Sequence, residues 1–218
     1  EVVTAPVTPP VRARTVRWAR VAADRVPTKW FITAATGVFL LATAAFGGLA
    51  DAQKPATPSI NAGETFSSPQ LSMTVTDVLL LDAVKEFSID LEPGEQAVAV
   101  IANVTNEWIE PQLAAAETGG IRDVVALKVG GTELDAEALL AIVRIDDPQT
   151  SPTLQPGVSA PLAFIWAVPS DAASAGDTAT VAFFKQSLYT GTVTVAGQWW
   201  TDPALAATMA VTVAAGAP

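Results

Sequence analysis

Residues 96–106 read QAVAVIANVTN, and this stretch decides the fold. Successive side chains of an extended chain point to opposite faces, which sets Val98, Val100, Ala102 and Val104 on one side and Ala97, Ala99 and Ile101 on the other. A strand that is apolar on both faces belongs in the interior of a sheet. It is entered through Glu92-Pro93-Gly94-Glu95, where proline restrains φ at the second position and glycine accepts positive φ at the third, as a type II turn requires. Upstream, Phe87, Ile89 and Leu91 alternate toward that turn, so a hairpin is expected there. LSMTVTDVLLL at 71–81 alternates as well, with Leu71, Met73 and Val75 on one face.

The same reading continues downstream. Short strands are expected at 124–129 and 141–145, with a helical turn over 135–140 between them. A second turn, Gln155-Pro156-Gly157, precedes APLAFIWAVP at 160–169, which sets Leu162, Phe164 and Trp166 against Ala163, Ile165 and Ala167. TATVAFFKQSLY, TVTVAGQWW and ATMAVTV complete the series. About eight strands at this spacing, without a helix of three turns, predict an all-β, immunoglobulin-like two-sheet β-sandwich over residues 71–218.

The segment before it is of a different kind. Residues 1–29 hold Arg12, Arg14, Arg17, Arg20, Arg25 and Lys29 against Glu1 and Asp24, whereas residues 51–218 hold six cations against twenty anions. Between them, residues 30–49 read WFITAATGVFLLATAAFGGL, with no charged side chain. A helix of that length reaches about 30 Å, the depth of a bilayer's hydrocarbon core. The expected organisation is therefore a basic cytoplasmic segment (1–29), a single transmembrane α-helix (30–50), an extended linker (51–70) rich in proline, and an extracytoplasmic domain (71–218). Lys29, Trp30 and Phe31 would lie at the inner membrane interface, and the positive-inside rule orients the chain. Ala50-Asp51-Ala52 also fits a small-x-small cleavage site, which makes a cleaved signal peptide the alternative to an anchor.

Catalytic chemistry finds little material. The chain has no histidine and no cysteine, which removes imidazole bases, thiolate nucleophiles, disulfides and Cys/His zinc sites together. None of Lys85, Lys128 and Lys185 stands at the S-x-x-K offset that a serine/lysine arrangement uses. Asp146-Asp147 or Asp90 with Glu92 could ligate calcium, but without the spacing of a known loop they read as solvated acidic turns. No catalytic residue, cofactor or metal is expected, and the acidic body argues against nucleic acid. The aromatic residues are the remaining signal. Trp199 and Trp200 are adjacent, so in a strand only one can face the core. The other, beside Tyr189 or Trp108, could anchor a protein or stack on a sugar ring, unless Trp200 simply packs under the following TDPALA.

The succession MTVTDV, LEPGEQAVAVIANVTN, LQPG and FIWAVP resembles the bacterial DUF4352-like, immunoglobulin-like extracytoplasmic domains, over roughly residues 71–185. The resemblance implies a secreted or membrane-tethered sandwich with no catalytic residues to carry over. Many members carry a lipidated cysteine, which this chain lacks. Charge distribution and resemblance together lead to the expectation of a non-enzymatic single-pass membrane protein. Its outer domain would serve as an accessory or interaction subunit of a bacterial envelope complex, such as a transporter. The alternative is a tethered module for cell-wall polysaccharide. In both, Trp199, Trp200, Trp108 and Tyr189 form the candidate surface.

Overall fold

The computed structural model describes residues 28–45, 56–81, 84, 87, 89–147, 149–192 and 196–216. The chain divides into two units, Glu1–Pro55 and Ala56–Pro218. In the first, helix α1 (Thr28–Ala45) covers 18 residues, about 27 Å at 1.5 Å per residue. Among the described residues no helix is long and apolar enough to cross a membrane. Residues 1–27 of the expected cytoplasmic segment (1–29), 46–50 of the expected span (30–50) and 51–55 of the expected linker (51–70) lie outside the described residues.

The second unit is a β-sandwich. In chain order its strands are β1 (Ser59–Ile60), β2 (Thr65–Ser67), β3 (Leu71–Leu81), β4 (Glu95–Asn106), β5 (Gln112–Leu113), β6 (Val125–Val129) and β7 (Thr132–Leu134). They continue with β8 (Leu139–Arg144), β9 (Gln149–Thr150), β10 (Thr153–Leu154), β11 (Ser159–Pro169), β12 (Thr178–Gly191) and β13 (Gly197–Ala215). One sheet runs β3-β4-β11-β8-β9 and the other β7-β6-β12-β13. The 19-residue β13 joins them, antiparallel to β12 along most of its length and parallel to β3 at its end, where Val213 faces Val78. β5 and β10 form a separate two-stranded ribbon.

The interior strand expected from residues 96–106 is β4, flanked by β3 and β11. Its Val98, Val100, Ala102 and Val104 enter the space between the sheets with Leu162, Phe164, Trp166, Val181, Phe183 and Met209. Its Ala97 and Ala99 lie on the other face in a second buried cluster with Val84, Val143, Ala163 and Ile165. Phe87, Ile89 and Leu91 pack against that second cluster. This explains their alternation and corrects the expected hairpin, because they cover the back of the sheet and β4 pairs instead with β3. The turn itself is as expected: Gly94 has φ +92° and Glu95 N–H donates to Glu92 O at 3.0 Å.

Three further expectations need correction. The linker assigned to 51–70 already belongs to the sandwich from residue 59, since Ser59–Ile60 pairs with β13 and Thr65–Ser67 with β3. No helical turn forms over 135–140. Asp135 Oδ1 accepts the N–H groups of Glu137 and Ala138, a side-chain turn that competes with helix, and the chain enters β8 at Leu139. Finally, the TDPALA segment that could have packed over Trp200 is more strand, because β13 runs through Thr201-Asp202-Pro203. Asp202 has φ +54°, and the register against β12 slips between Lys185 and Ser187. A bulge absorbs a proline that would otherwise interrupt the ladder.

Candidate functional site

The candidate aromatic residues gather where β12 and β13 outrun their neighbours. β6 pairs with β12 only from Thr180 to Phe183. Beyond that point β12 and β13 continue as a two-stranded ribbon, in which Ser187 faces Thr201, Leu188 faces Trp200, Tyr189 faces Trp199 and Thr190 faces Gln198. Directly opposed residues share a face and neighbours alternate. Trp199 and Tyr189 therefore occupy one face, and Trp200 with Leu188 the other.

The sequence grouped four aromatics into one surface, and the structure separates them into two pairs. Trp200 is buried, and Trp108 packs edge-on against it with ring centroids 5.9 Å apart and planes at 81°. Tyr189 and Trp199 form a tilted pair at 4.7 Å and 43°. Tyr189 is 51% exposed and Trp199 is half-buried. Trp200 therefore leaves the outward surface, Tyr189 and Trp199 form a pair on it, and Trp108, half-buried like Trp199, lies over Trp200. Trp108 supplies the cover for Trp200 that the sequence assigned to the following segment.

Trp108 is held by a buried polar cluster. Its backbone N–H donates to Asn106 Oδ1 at 3.0 Å. Asn106 Nδ2 donates to the carbonyls of Glu110 (2.8 Å) and Leu154 (3.0 Å), tying the end of β4 to β10. Gln112 Nε2 donates to Asn106 Oδ1, and Gln70 Nε2 donates to Gln112 Oε1 (2.9 Å) and to Gly120 O (3.1 Å). All three amides are buried. A buried amide network of this kind fixes one geometry, because each unmet group would carry its full desolvation cost. The sequence places an asparagine at the end of this strand, and only the fold shows what it ties together.

A glycine brings the neighbouring loop close to the ribbon: a Cβ on Gly119, at φ +76°, would lie 3.6 Å from Trp199 Cβ. Two polar atoms of the cluster, Trp200 Nε1 and Gln70 Oε1, are buried without a hydrogen-bond partner among the described residues.

The carboxylates do not assemble a centre. Among the described residues no three acidic side chains are placed to hold a metal ion. Asp146 is engaged by Arg144, whose Nε and Nη2 donate to its two oxygens at 2.6 and 2.9 Å. The guanidinium bonds hold the Asp146 carboxyl below its ordinary range and raise the Arg144 pKa. In the other unit, Trp30 and Phe31 are exposed in the first turns of α1, next to Lys29.

No family model matches the chain, and no curated protein does. Among solved structures it is similar to an uncharacterized β-sandwich protein from Clostridium difficile 630, at 13% identity and a TM-score of 0.45, over 74% of this chain and 99% of that one. It is also similar to a candidate lipoprotein of Bacillus subtilis, at 16% identity and a TM-score of 0.35, over 63% of this chain and 38% of that one. The N-terminal domain of PorA is a third, at 15% identity and a TM-score of 0.26, over 67% and 97%.

Proposed function

We propose that this chain is a non-enzymatic, membrane-anchored protein of the bacterial envelope whose immunoglobulin-like sandwich binds a membrane-protein partner through the β12–β13 ribbon. The observation that carries this reading is the Tyr189–Trp199 pair, held outward on a projecting ribbon while Trp200 is covered by Trp108. Exposed, immobilised aromatics are the side chains that dominate binding energy at protein interfaces. The immunoglobulin-like assignment is supported by strand order: β3-β4-β11-β8 opposite β13-β12-β6 corresponds to the ABED and GFC sheets of that sandwich. The DUF4352-like reading rests on the sequence resemblance alone.

The anchor reading draws on charge and on α1. Trp30, Phe31, Ile32, Val38, Phe39, Leu40 and Leu41 are all exposed on this helix, an apolar surface that suits lipid better than water. Thr33, Thr36 and Thr43 each donate their hydroxyl to the carbonyl four residues back, at 3.0, 2.9 and 2.7 Å, which satisfies these groups within the helix. The charge-free run continues to residue 49, so that the basic segment stays in the cytoplasm and the acidic domain lies outside.

A second reading, binding of cell-wall polysaccharide, is favoured by the same pair, because Ser187 and Thr201 oppose each other beside it and could bond sugar hydroxyls. Purification in mild detergent separates the two. A stoichiometric membrane-protein partner is expected, whereas a lone monomer that sediments with purified cell wall favours the polysaccharide reading. Full-length protein that stays dispersed without detergent and is not retained by membranes contradicts the anchor.

A further inference from the structure

The outer edge of the same ribbon bears on the chemistry of a partner. β6 leaves β12 after the pair Val125–Phe183, where a 3-10 turn (Arg122–Val124) carries the chain off the ladder. From residue 184 to 191, β12 is paired among the described residues only on its β13 side. A free strand edge presents backbone donors and acceptors ready to pair with another extended chain.

Two clefts open where β6 departs. The smaller, about 210 Å3, has Phe184 and Pro203 among its apolar walls, with Asp123, Asp135 and Glu137 around them. The larger, about 390 Å3, shares Asp123 and Glu137 with it and adds Glu117. Among the described residues Arg122 is the one cation lining either cleft; its Nη2 donates to Ala136 O at 2.7 Å, its charge remains, and Glu117, Asp123, Asp135 and Glu137 outnumber it. Gln186 is buried, with its side-chain carbonyl unpartnered among the described residues, so the continuously exposed part of this edge runs from Ser187 to Thr190. Lys185 is exposed but adjoins Phe184 in the strand, and alternation turns it to the opposite face.

We propose that β12 beyond Phe183 accepts an extended, cationic segment of a partner protein as an added strand, with a lysine or arginine side chain entering the acid-lined clefts beside Phe184. Backbone pairing supplies the affinity of such an interaction, and side-chain pockets along the edge supply its selectivity. An arginine or lysine suits a cleft that joins an aromatic wall to carboxylates, since its apolar stem and its cationic head are both accommodated. The inference rests on the reading of this domain as an interaction module. Its failure is distinguishable, because a partner captured through Tyr189 and Trp199 alone would leave that reading intact and remove this one.

The test uses full-length protein in mild detergent and two labelled heptapeptides, acetyl-VRVRVRV-amide and acetyl-VEVEVEV-amide, followed by fluorescence anisotropy. Saturable binding of the arginine peptide is expected, with none for the glutamate peptide. Asp123→Asn combined with Glu137→Gln should weaken binding by at least about fivefold, while Asp90→Asn combined with Asp171→Asn, which removes the same charge elsewhere, should change it less than about twofold. Backbone amide exchange over residues 184–191 should slow when the peptide binds. Absence of saturation, equal weakening by both pairs of substitutions, or binding without slowed exchange in that segment would each overturn the proposal. Self-association of the full-length protein that Asp123→Asn with Glu137→Gln abolishes would also overturn it, by making the chain's own basic segment the occupant.

Discussion

β12 is two strands in one. From Thr178 to Phe183 it pairs with β13, and from Thr180 with β6 as well, and Ala179, Val181 and Phe183 are buried in the core. From Phe184 to Gly191 it has one hydrogen-bonded neighbour among the described residues, and Ser187, Leu188, Tyr189 and Thr190 are exposed. Both halves are rich in strand-forming residues, so composition does not separate them. Pairing does. The first half is stabilised by what lies over it, whereas the second is a ribbon of a kind that is marginal when isolated and here keeps aromatic side chains outside a closed core. Tyr189 and Trp199 oppose each other across it, a cross-strand aromatic pair of the kind that adds about 0.2–1 kcal/mol to a ribbon.

The sharpest form of this contrast is a pair of tryptophan substitutions. Trp166 is fully buried and its Nε1 donates to Asp135 O at 2.8 Å. Trp166→Ala should cost about 3–5 kcal/mol, and Trp199→Ala less than about 1 kcal/mol, both read from urea denaturation of the sandwich. Similar losses at the two positions would show that the ribbon is core by another route. Asn106 tests the base of the ribbon next. Asn106→Leu strands the Glu110 and Leu154 carbonyls, the Trp108 N–H and the Gln112 amide, so a loss of about 2–3 kcal/mol is expected. It should be accompanied by a red shift in tryptophan emission as Trp108 leaves Trp200. An unchanged emission maximum would mean that the aromatic pair holds without the amide network.

Smaller effects lie at the bulge and at the acidic edge. Asp202 occupies the left-handed region at φ +54°, where a side chain carries a steric cost that glycine avoids. Asp202→Gly should raise stability by about 0.5–1 kcal/mol, and a loss would show that the carboxylate itself secures the turn. For Asp146 the sign follows from its lowered pKa. The contribution is present above the unfolded-state pKa and disappears as pH falls through the lower folded value. Asp146→Asn should therefore flatten the acid side of the stability profile slightly, while at pH 7 the exposed pair contributes little. A steep unchanged acid limb would place that dependence on other carboxylates.

The parts of this architecture visible in the sequence are those with a local physical signature. Alternation marked β3, β4, β11 and the core half of β12, and both Pro-Gly turns formed where proline and glycine stand, with Gly157 at φ +69°. Two-residue strands such as β1 have no period to detect, and β1 lies in a proline-containing stretch whose composition suggested only a tether. Phe87, Ile89 and Leu91 carry the alternation of a strand because they cover a sheet from outside, and periodicity cannot distinguish covering a sheet from joining one. For the candidate surface, adjacency of Trp199 and Trp200 correctly implied opposite faces. Which face was closed depended on Trp108, about ninety residues away in sequence, and on an amide cluster drawn from three separate segments. Such long-range partners leave no mark in local composition.

Contact between the outward aromatic pair and a membrane-embedded protein is open to direct test. Cells expressing affinity-tagged wild-type chain and the variant Tyr189→Ala with Trp199→Ala are extracted in mild detergent, and the material retained with each is compared after circular dichroism has shown equal folding. A stoichiometric membrane protein retained by the wild type and lost from the variant is the expected result. The same partner retained equally by both would contradict the assignment of that surface.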